Sequence, residues 1–154
     1  MTLSVAIPGR AALELDHLLL DFTGTLSLDG ALLPGVAERL HALARTLRVT
    51  VLTADTFGTA RQALAGLPVE VRLVASGADK LAFIEALGAG RVVAAGNGRN
   101  DAAMVSRAAL GIAVVGPEGA AAELVGVADV VVTDILAALD LLLHPRRLAA
   151  TLRA

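Results

Sequence analysis

The stretch Leu18-Leu19-Leu20-Asp21-Phe22-Thr23-Gly24-Thr25 decides how this chain reads. An apolar run ends in an aspartate, and the aspartate enters a Thr-Gly-Thr turn. The buried strand holds the carboxylate rigidly, Gly24 lets the backbone turn sharply, and the amides that follow can face an anion. A carboxylate in this position is either a turn or cap residue or a nucleophile, and the motifs further along the chain bear on which.

Outward from this stretch, short β-branched runs alternate with Ala/Leu-rich helical ones. Leu3 to Ile7, a Pro8-Gly9 turn and Leu13 to Leu20 read as a hairpin leading into the first core strand. Pro34-Gly35 opens a helix through Thr46, with Val36, Leu40, Leu43 and Leu47 at helical spacing. Strands are expected at Arg48 to Leu52, Val69 to Val74, Arg91 to Ala95, Ile112 to Val115 and Val130 to Thr133. Helices are expected at Thr56 to Ala65, Asp79 to Leu87, Asn100 to Ala109, Glu118 to Val125 and Ile135 to Leu143. Strand–helix–strand order with short connections predicts an α/β fold: a three-layer, Rossmann-like arrangement with a mainly parallel sheet and helices on both faces. No linker or repeat divides residues 1–154, so one domain is expected.

Composition narrows the function. The chain is 56% hydrophobic but 2% aromatic, so the expected core is Ala, Leu and Val. Every apolar run is interrupted by Asp, Arg, Gly or Pro before it could span a bilayer. The N-terminus lacks a basic flank followed by a continuous apolar stretch, and no secretory leader is expected. The absence of cysteine excludes disulfides and thiolate metal sites. A net charge of −2 without a basic block argues against a nucleic-acid partner. A cytoplasmic protein with neither membrane nor nucleic-acid partner is expected.

In such sheets ligands bind beyond the carboxyl ends of the strands, where strand order reverses. The first core strand ends at Asp21, the next at Thr53-Ala54-Asp55, and a later one at Gly96-Asn97-Gly98-Arg99-Asn100-Asp101. Lys80 follows the Ser76-Gly77-Ala78-Asp79 turn at the start of a helix. Nucleophile, hydroxyl, cation and a Gly-rich acidic loop are thus expected on one rim. Each has a plainer reading as well: a strand-end threonine, a solvated first-turn lysine, a tight turn with Asn100 as helix cap. Asp55 either tunes the site or makes local hydrogen bonds. His17, His41 and His144 lack ligand spacing, and Arg146, Arg147 and Arg153 read as a solvated helix face.

Together these motifs resemble the haloacid dehalogenase superfamily, and within it the phosphorylation domain of P-type ATPases. D-F-T-G-T at Asp21 matches that group's D-K-T-G-T, T-A-D at Thr53 its T-G-D, and G-N-G-R-N-D at Gly96 its G-D-G-x-N-D. Ala109-Leu110-Gly111-Ile112-Ala113 and Ala128-Asp129-Val130-Val131 resemble the segments that follow. The resemblance runs from about Leu18 to Leu143 and points to the small soluble, stand-alone relatives of the ATPases. It implies an aspartyl phosphate on Asp21. It implies Mg2+ as cofactor, held by the Asp21 carboxylate, the Thr23 carbonyl, the Asn97 side chain and Asp101, the last directly or through water. Thr53 and Lys80 would hold the phosphoryl oxygens as charge develops, with Gly24 and Asn100 also on the phosphate. The catalytic set is then Asp21, Thr23, Thr53 and Lys80.

Two departures set this chain apart. Most phosphatases of the superfamily carry an acid–base aspartate two residues after the nucleophile, whereas this chain has Thr23, as the ATPases do. Threonine cannot exchange a proton near neutral pH, so hydrolysis is expected to be slow. Asn97 stands where both patterns place a metal-binding aspartate, which removes one anionic ligand. The segments between Asp21 and Thr53, and between Thr53 and Lys80, are used up by a short flap (Ser27 to Leu33) and single helices and strands, so no cap domain is expected. Capless relatives act on large substrates or close the site with a neighbouring subunit. A homo-oligomer is therefore expected, through the N-terminal hairpin or the helix Leu136 to Leu143. Two functions follow. One is a slow Mg-dependent phosphohydrolase acting on a small phosphorylated substrate or a phosphoprotein; the other is a catalytically impaired domain serving as a binding or regulatory module.

Overall fold

Leu18 and Leu20 join one apolar core and Leu19 the other, and all three are fully buried because their strand runs through the middle of a sheet covered on both faces. The computed structural model describes residues 1–154. Its elements are β1 (Leu3–Val5), β2 (Leu13–Leu15), β3 (His17–Asp21), β4 (Ser27–Leu28), β5 (Ala31–Leu32), α1 (Val36–Leu43), β6 (Arg48–Thr53), α2 (Thr59–Ala63), β7 (Glu70–Leu73), α3 (Gly77–Leu87), β8 (Val92–Gly96), α4 (Ala102–Arg107), β9 (Leu110–Val114), α5 (Ala122–Val127), β10 (Val130–Val132), α6 (Ile135–Leu143) and α7 (Pro145–Leu152).

Six strands pair in parallel in the order β10-β9-β8-β3-β6-β7. The chain winds outward from β3 through β6 to β7, then returns to β8 on the other side of β3 and winds outward again. This reversal makes β3 and β8 the switch point, where the strand ends leave a crevice. Val36, Leu40 and Leu43 of α1, Ala60 of α2, Ile135, Ala138, Leu139 and Leu142 of α6 and Leu148 of α7 cover one face. Ile84 of α3, Met104 and Val105 of α4 and Leu124 of α5 cover the other. Arg39 donates to both carboxylate oxygens of Asp140, at 2.8 and 3.3 Å, and ties α1 to α6. No helix is long and apolar enough to cross a membrane.

The expected three-layer α/β architecture with an N-terminal hairpin is the one observed: β1 and β2 pair antiparallel, Leu3 opposite Leu15. Several elements are shorter than their apolar patterns. The run Leu13 to Leu20 breaks at Asp16, whose carboxylate pairs with Arg91 and is held well below the usual carboxylate range, chiefly by that hydrogen bond. The helix expected from Thr56 begins only at Thr59, because Asp55 (φ 43°) and Gly58 (φ 73°) turn the chain first. The helix expected from Asn100 starts as a 3-10 turn, Arg99–Asp101. Between Asp21 and α1 there is only the small hairpin β4–β5, with Asp29 (φ 52°) and Gly30 (φ 82°) at its tip, the two positive values of a type I′ turn.

Candidate active site

Three side chains from three elements meet beneath the carboxyl ends of the strands. Asp21 ends β3, Lys80 lies in the first turns of α3, and Asp101 closes the turn after β8. The Lys80 Nζ donates to Asp21 Oδ1 at 3.0 Å and to Asp101 Oδ1 at 2.6 Å. All three are buried, and Lys80 is the only lysine in the sequence, against twelve arginines. A compact ammonium on a flexible stem fits between two carboxylates where a planar guanidinium would not. Its third proton has no protein acceptor among these bonds and remains for a ligand.

Asp101 lies under the site rather than in it. Its Oδ2 accepts from the backbone N–H of Asn97 at 3.2 Å and of Gly98 at 3.0 Å, so its carboxylate shapes the loop and anchors Lys80. Gly96 makes this possible, since a Cβ there would lie 2.4 Å from the Asp101 carboxyl carbon. Gly96→Ala should therefore dislodge Asp101 and cost about 1–3 kcal/mol, the usual range for overpacking a core. Urea denaturation checks it.

Above these groups opens a cleft of about 640 Å³, lined by Asp21, Thr23, Thr53, Lys80, Asn97 and Asn100 among others. Of the sequence-predicted residues, Gly24 and Asp101 sit behind its wall. Gly24 (φ 75°) backs onto Asn97, whose amide nitrogen would lie 2.6 Å from an added Cβ. None of His17, His41 and His144 reaches the cleft. Thr53 ends β6, and its Oγ1 accepts the Asp55 N–H at 3.2 Å, which leaves the hydroxyl proton free to donate elsewhere. The Asp55 carboxylate takes the Ala60 and Arg61 amides at 2.7 and 3.2 Å, so Asp55 makes the local hydrogen bonds of a helix start.

Burial, followed by the charge of Asp101, pushes Asp21 up to about 7 despite Lys80. Burial alone would lower Lys80, yet Asp21 and Asp101 outweigh it and hold the ammonium above the ordinary lysine value. The sign for stability follows: Asp21 titrates near 3.8 unfolded and about 7 folded, so its ionisation opposes folding. The stability it allows is complete below about pH 4 and is lost as pH rises through 7. Without divalent cations, the denaturation midpoint should be higher at about pH 5 than at about pH 8, and Asp21→Asn should flatten that slope.

Thr25, which the sequence motif contains but to which no role was attached, proves central. Fully buried, its Oγ1 lies 3.1 Å from both Asp21 Oδ2 and Asn97 Oδ1. Asn97 Nδ2 donates to the Gly119 carbonyl at 3.1 Å, which fixes the amide oxygen towards Thr25. One hydroxyl proton cannot satisfy both oxygens, so this corner has more acceptors than donors. That is the chemistry a hard, oxygen-binding cation completes. No group of three acidic or histidine side chains surrounds it; the donors present are the Asp21 carboxylate, the Thr25 hydroxyl and the Asn97 amide oxygen.

No family model matches this chain. Among solved structures, the 3-deoxy-D-manno-octulosonate 8-phosphate phosphatase of Moraxella catarrhalis, in complex with magnesium, phosphate and KDO, superposes with a TM-score of 0.72. That match covers 89% of this chain and 92% of that one at 17% identity. The catalytic domain of the CPx-ATPase CopB-B superposes with a TM-score of 0.59 over 77% of this chain and 46% of that one, at 24% identity. The fold is thus shared with that phosphatase and with a putative HAD superfamily (subfamily III A) hydrolase of Legionella pneumophila (TM-score 0.71, 17% identity, 90% of this chain and 87% of that one), and the ATPase catalytic domain is a structural neighbour. In sequence, the chain is 49% identical over 63 residues to an uncharacterized protein of Methanocaldococcus jannaschii, a match spanning 41% of this chain and 68% of that protein. The chain belongs to the family of that archaeal protein.

Proposed function

We propose that the protein, working as one domain over residues 1–154, is a slow magnesium-dependent phosphohydrolase that passes through an aspartyl phosphate on Asp21. The observation that carries this reading is the buried Asp21–Lys80–Asp101 network at the floor of an open cleft, with the Thr53 hydroxyl on the same rim. The Asp21 carboxylate attacks phosphorus, and the ester oxygen leaves with the electron pair of the broken P–O bond. Thr53 donates its free proton, and Lys80 its third N–H, to the phosphoryl oxygens as their charge develops. Asp21, the Thr23 carbonyl and the Asn97 side chain would hold magnesium, with Asp101 acting directly or through water and also supporting the loop that carries Asn97. The ion would supply the positive charge that ionises Asp21 and neutralises the incoming phosphate. Thr23 offers no proton to the leaving group, which must take one from water at the open mouth. Water then cleaves the acyl phosphate, releasing inorganic phosphate and restoring Asp21.

The likeness in fold to the Moraxella catarrhalis phosphatase, solved with phosphate and KDO, supports a small phosphorylated molecule rather than a phosphoprotein as substrate. A second reading, a catalytically impaired domain that serves as a binding or regulatory module, is favoured by Thr23 and by Asn97, whose amide is already engaged with Thr25 and Gly119. Hydrolysis of an aryl phosphate and of acetyl phosphate, with and without magnesium, separates the two. Asn97→Asp should tighten magnesium and raise the rate. Thr23→Asp should speed turnover by about a hundredfold, the low end of general acid–base contributions. Beryllium fluoride, a phosphoryl mimic, should bind the wild type only with magnesium, as read by fluorine NMR. If wild type hydrolyses neither ester and binds no mimic, and Asn97→Asp rescues neither, the binding-module reading stands.

A further inference from the structure

Phe57 is 91% exposed, although it is one of only three phenylalanines in a chain without tyrosine or tryptophan. Phe22, by contrast, is 2% exposed in the core. A bare aromatic ring keeps a large apolar surface in water, which folding alone does not reward. This ring lines the cleft, and the backbone on either side of it is hydrogen-bonded. The Gly58 N–H donates to the Asp55 carbonyl at 3.0 Å, Asp55 caps the start of α2, and its own N–H is bound by Thr53. The loop that carries the hydroxyl at the floor therefore also carries the ring. The flap tip closes the same corner: a Cβ on Gly30 would stand 3.7 Å from the Thr59 Cβ, so Asp29-Gly30 rests on the beginning of α2.

The charged side chains that line the cleft are mostly acidic. Asp29, Asp55 and Glu118 line it together with Asp21, and Lys80 is the only cationic side chain among its lining residues. Lys80 is already held by two carboxylates at the floor. Among the lining residues away from the floor there is no lysine or arginine to receive a second anionic group on a substrate, whereas there are carboxylates and an aromatic face.

We propose that Phe57, with Asp29 and Glu118, selects the leaving group, and that the substrate is a phosphomonoester of an amine-bearing, cationic alcohol. The phosphate goes to the floor and the ammonium stands against the ring, where the negative π face attracts it and the neighbouring carboxylates add to the field. Esters carrying a further carboxylate or phosphate are disfavoured by the same charges. This rests on the hydrolase reading only for its assay; the binding preference stands by itself.

The test compares choline phosphate, glycerol phosphate and 3-phosphoglycerate, with acetyl phosphate as a reference too small to extend far from the floor. Wild type should show the highest kcat/KM for choline phosphate and the lowest for 3-phosphoglycerate. Phe57→Ala should lower the choline phosphate to acetyl phosphate ratio of kcat/KM about fivefold, as expected for losing a cation–π contact. Phe57→Leu, apolar without the π face, should lower it nearly as much, and Asp29→Asn should narrow the gap to 3-phosphoglycerate. Calorimetry on Asp21→Asn measures binding of the same esters without turnover. If acetyl phosphate is hydrolysed but the three esters rank equally and Phe57→Ala leaves the ratio alone, this inference is overturned and the hydrolase reading is untouched. If no ester is hydrolysed while choline phosphate binds in a Phe57-dependent way, the hydrolase reading fails and this inference holds.

Discussion

Lys80→Met should abolish phosphohydrolysis and lower stability by about 3–5 kcal/mol at neutral pH, the range for removing one partner of a buried ion pair. Two carboxylates, Asp21 and Asp101, would then face one another under a buried floor with no cation between them. Against a typical total of about 5–15 kcal/mol, that is a large share of what holds a domain folded. The deficit should depend on pH with a definite sign. Asp21, already pushed up to about 7 with Lys80 in place, loses the cation that favours its ionised form, so the penalty is smaller at acid pH, where its carboxyl keeps its proton, and greatest above about pH 7. Denaturation curves of variant and wild type at acid pH and above about pH 7 check it. Lys80→Arg should restore little, because the guanidinium fork does not fit the space that Nζ fills at 2.6 and 3.0 Å from its partners.

Asp21→Asn acts on the same network with the opposite effect on stability. Activity should fall to background, since an amide cannot attack phosphorus. Yet the variant should be more stable than wild type above about pH 7, by about 1–2 kcal/mol, because the carboxylate that burial and Asp101 push up to about 7 no longer has to ionise. Lys80 would keep Asp101, and the new amide oxygen can still accept from Lys80 and Thr25. One variant that is inactive and less stable, and another that is inactive and more stable, would mark a floor held in strain for chemistry. If both lowered stability equally, the network would be structural only.

The mainly parallel sheet and the convergence of Asp21, Thr53, Lys80 and the Gly96 to Asp101 loop were legible because each sits where a strand ends or a helix begins, and apolar runs locate those points; the strand order was not. Depth was not legible. Asp101 follows Asn100 directly, yet one is fully buried beneath the loop and the other is exposed, a difference set by the room at Gly96 and by the Asn97 and Gly98 amides. Thr25 stood inside the motif, but its contact with Asn97 joins β3 to β8 across 72 positions of sequence, which no local pattern carries. The mouth was hidden for a related reason. Phe57 reads as one more apolar residue until Asp55 and Gly58, at positive φ, turn the chain and leave the ring outside. Helix lengths were overestimated wherever such a turn interrupts an alanine-rich run, because alanine favours helix on either side of it.

The proposed mechanism requires that Asp21 become covalently phosphorylated. The direct measurement is intact mass after incubation with acetyl phosphate and magnesium, quenched in acid, with the modified residue located by borohydride reduction and peptide mapping. On the proposed mechanism, in which Thr23 offers no acid–base group to speed hydrolysis, wild type should carry one phosphoryl group on Asp21 that is lost on treatment with hydroxylamine, and Asp21→Asn should carry none. An unmodified wild type under these conditions, or a phosphoryl group that persists in Asp21→Asn, would contradict the account.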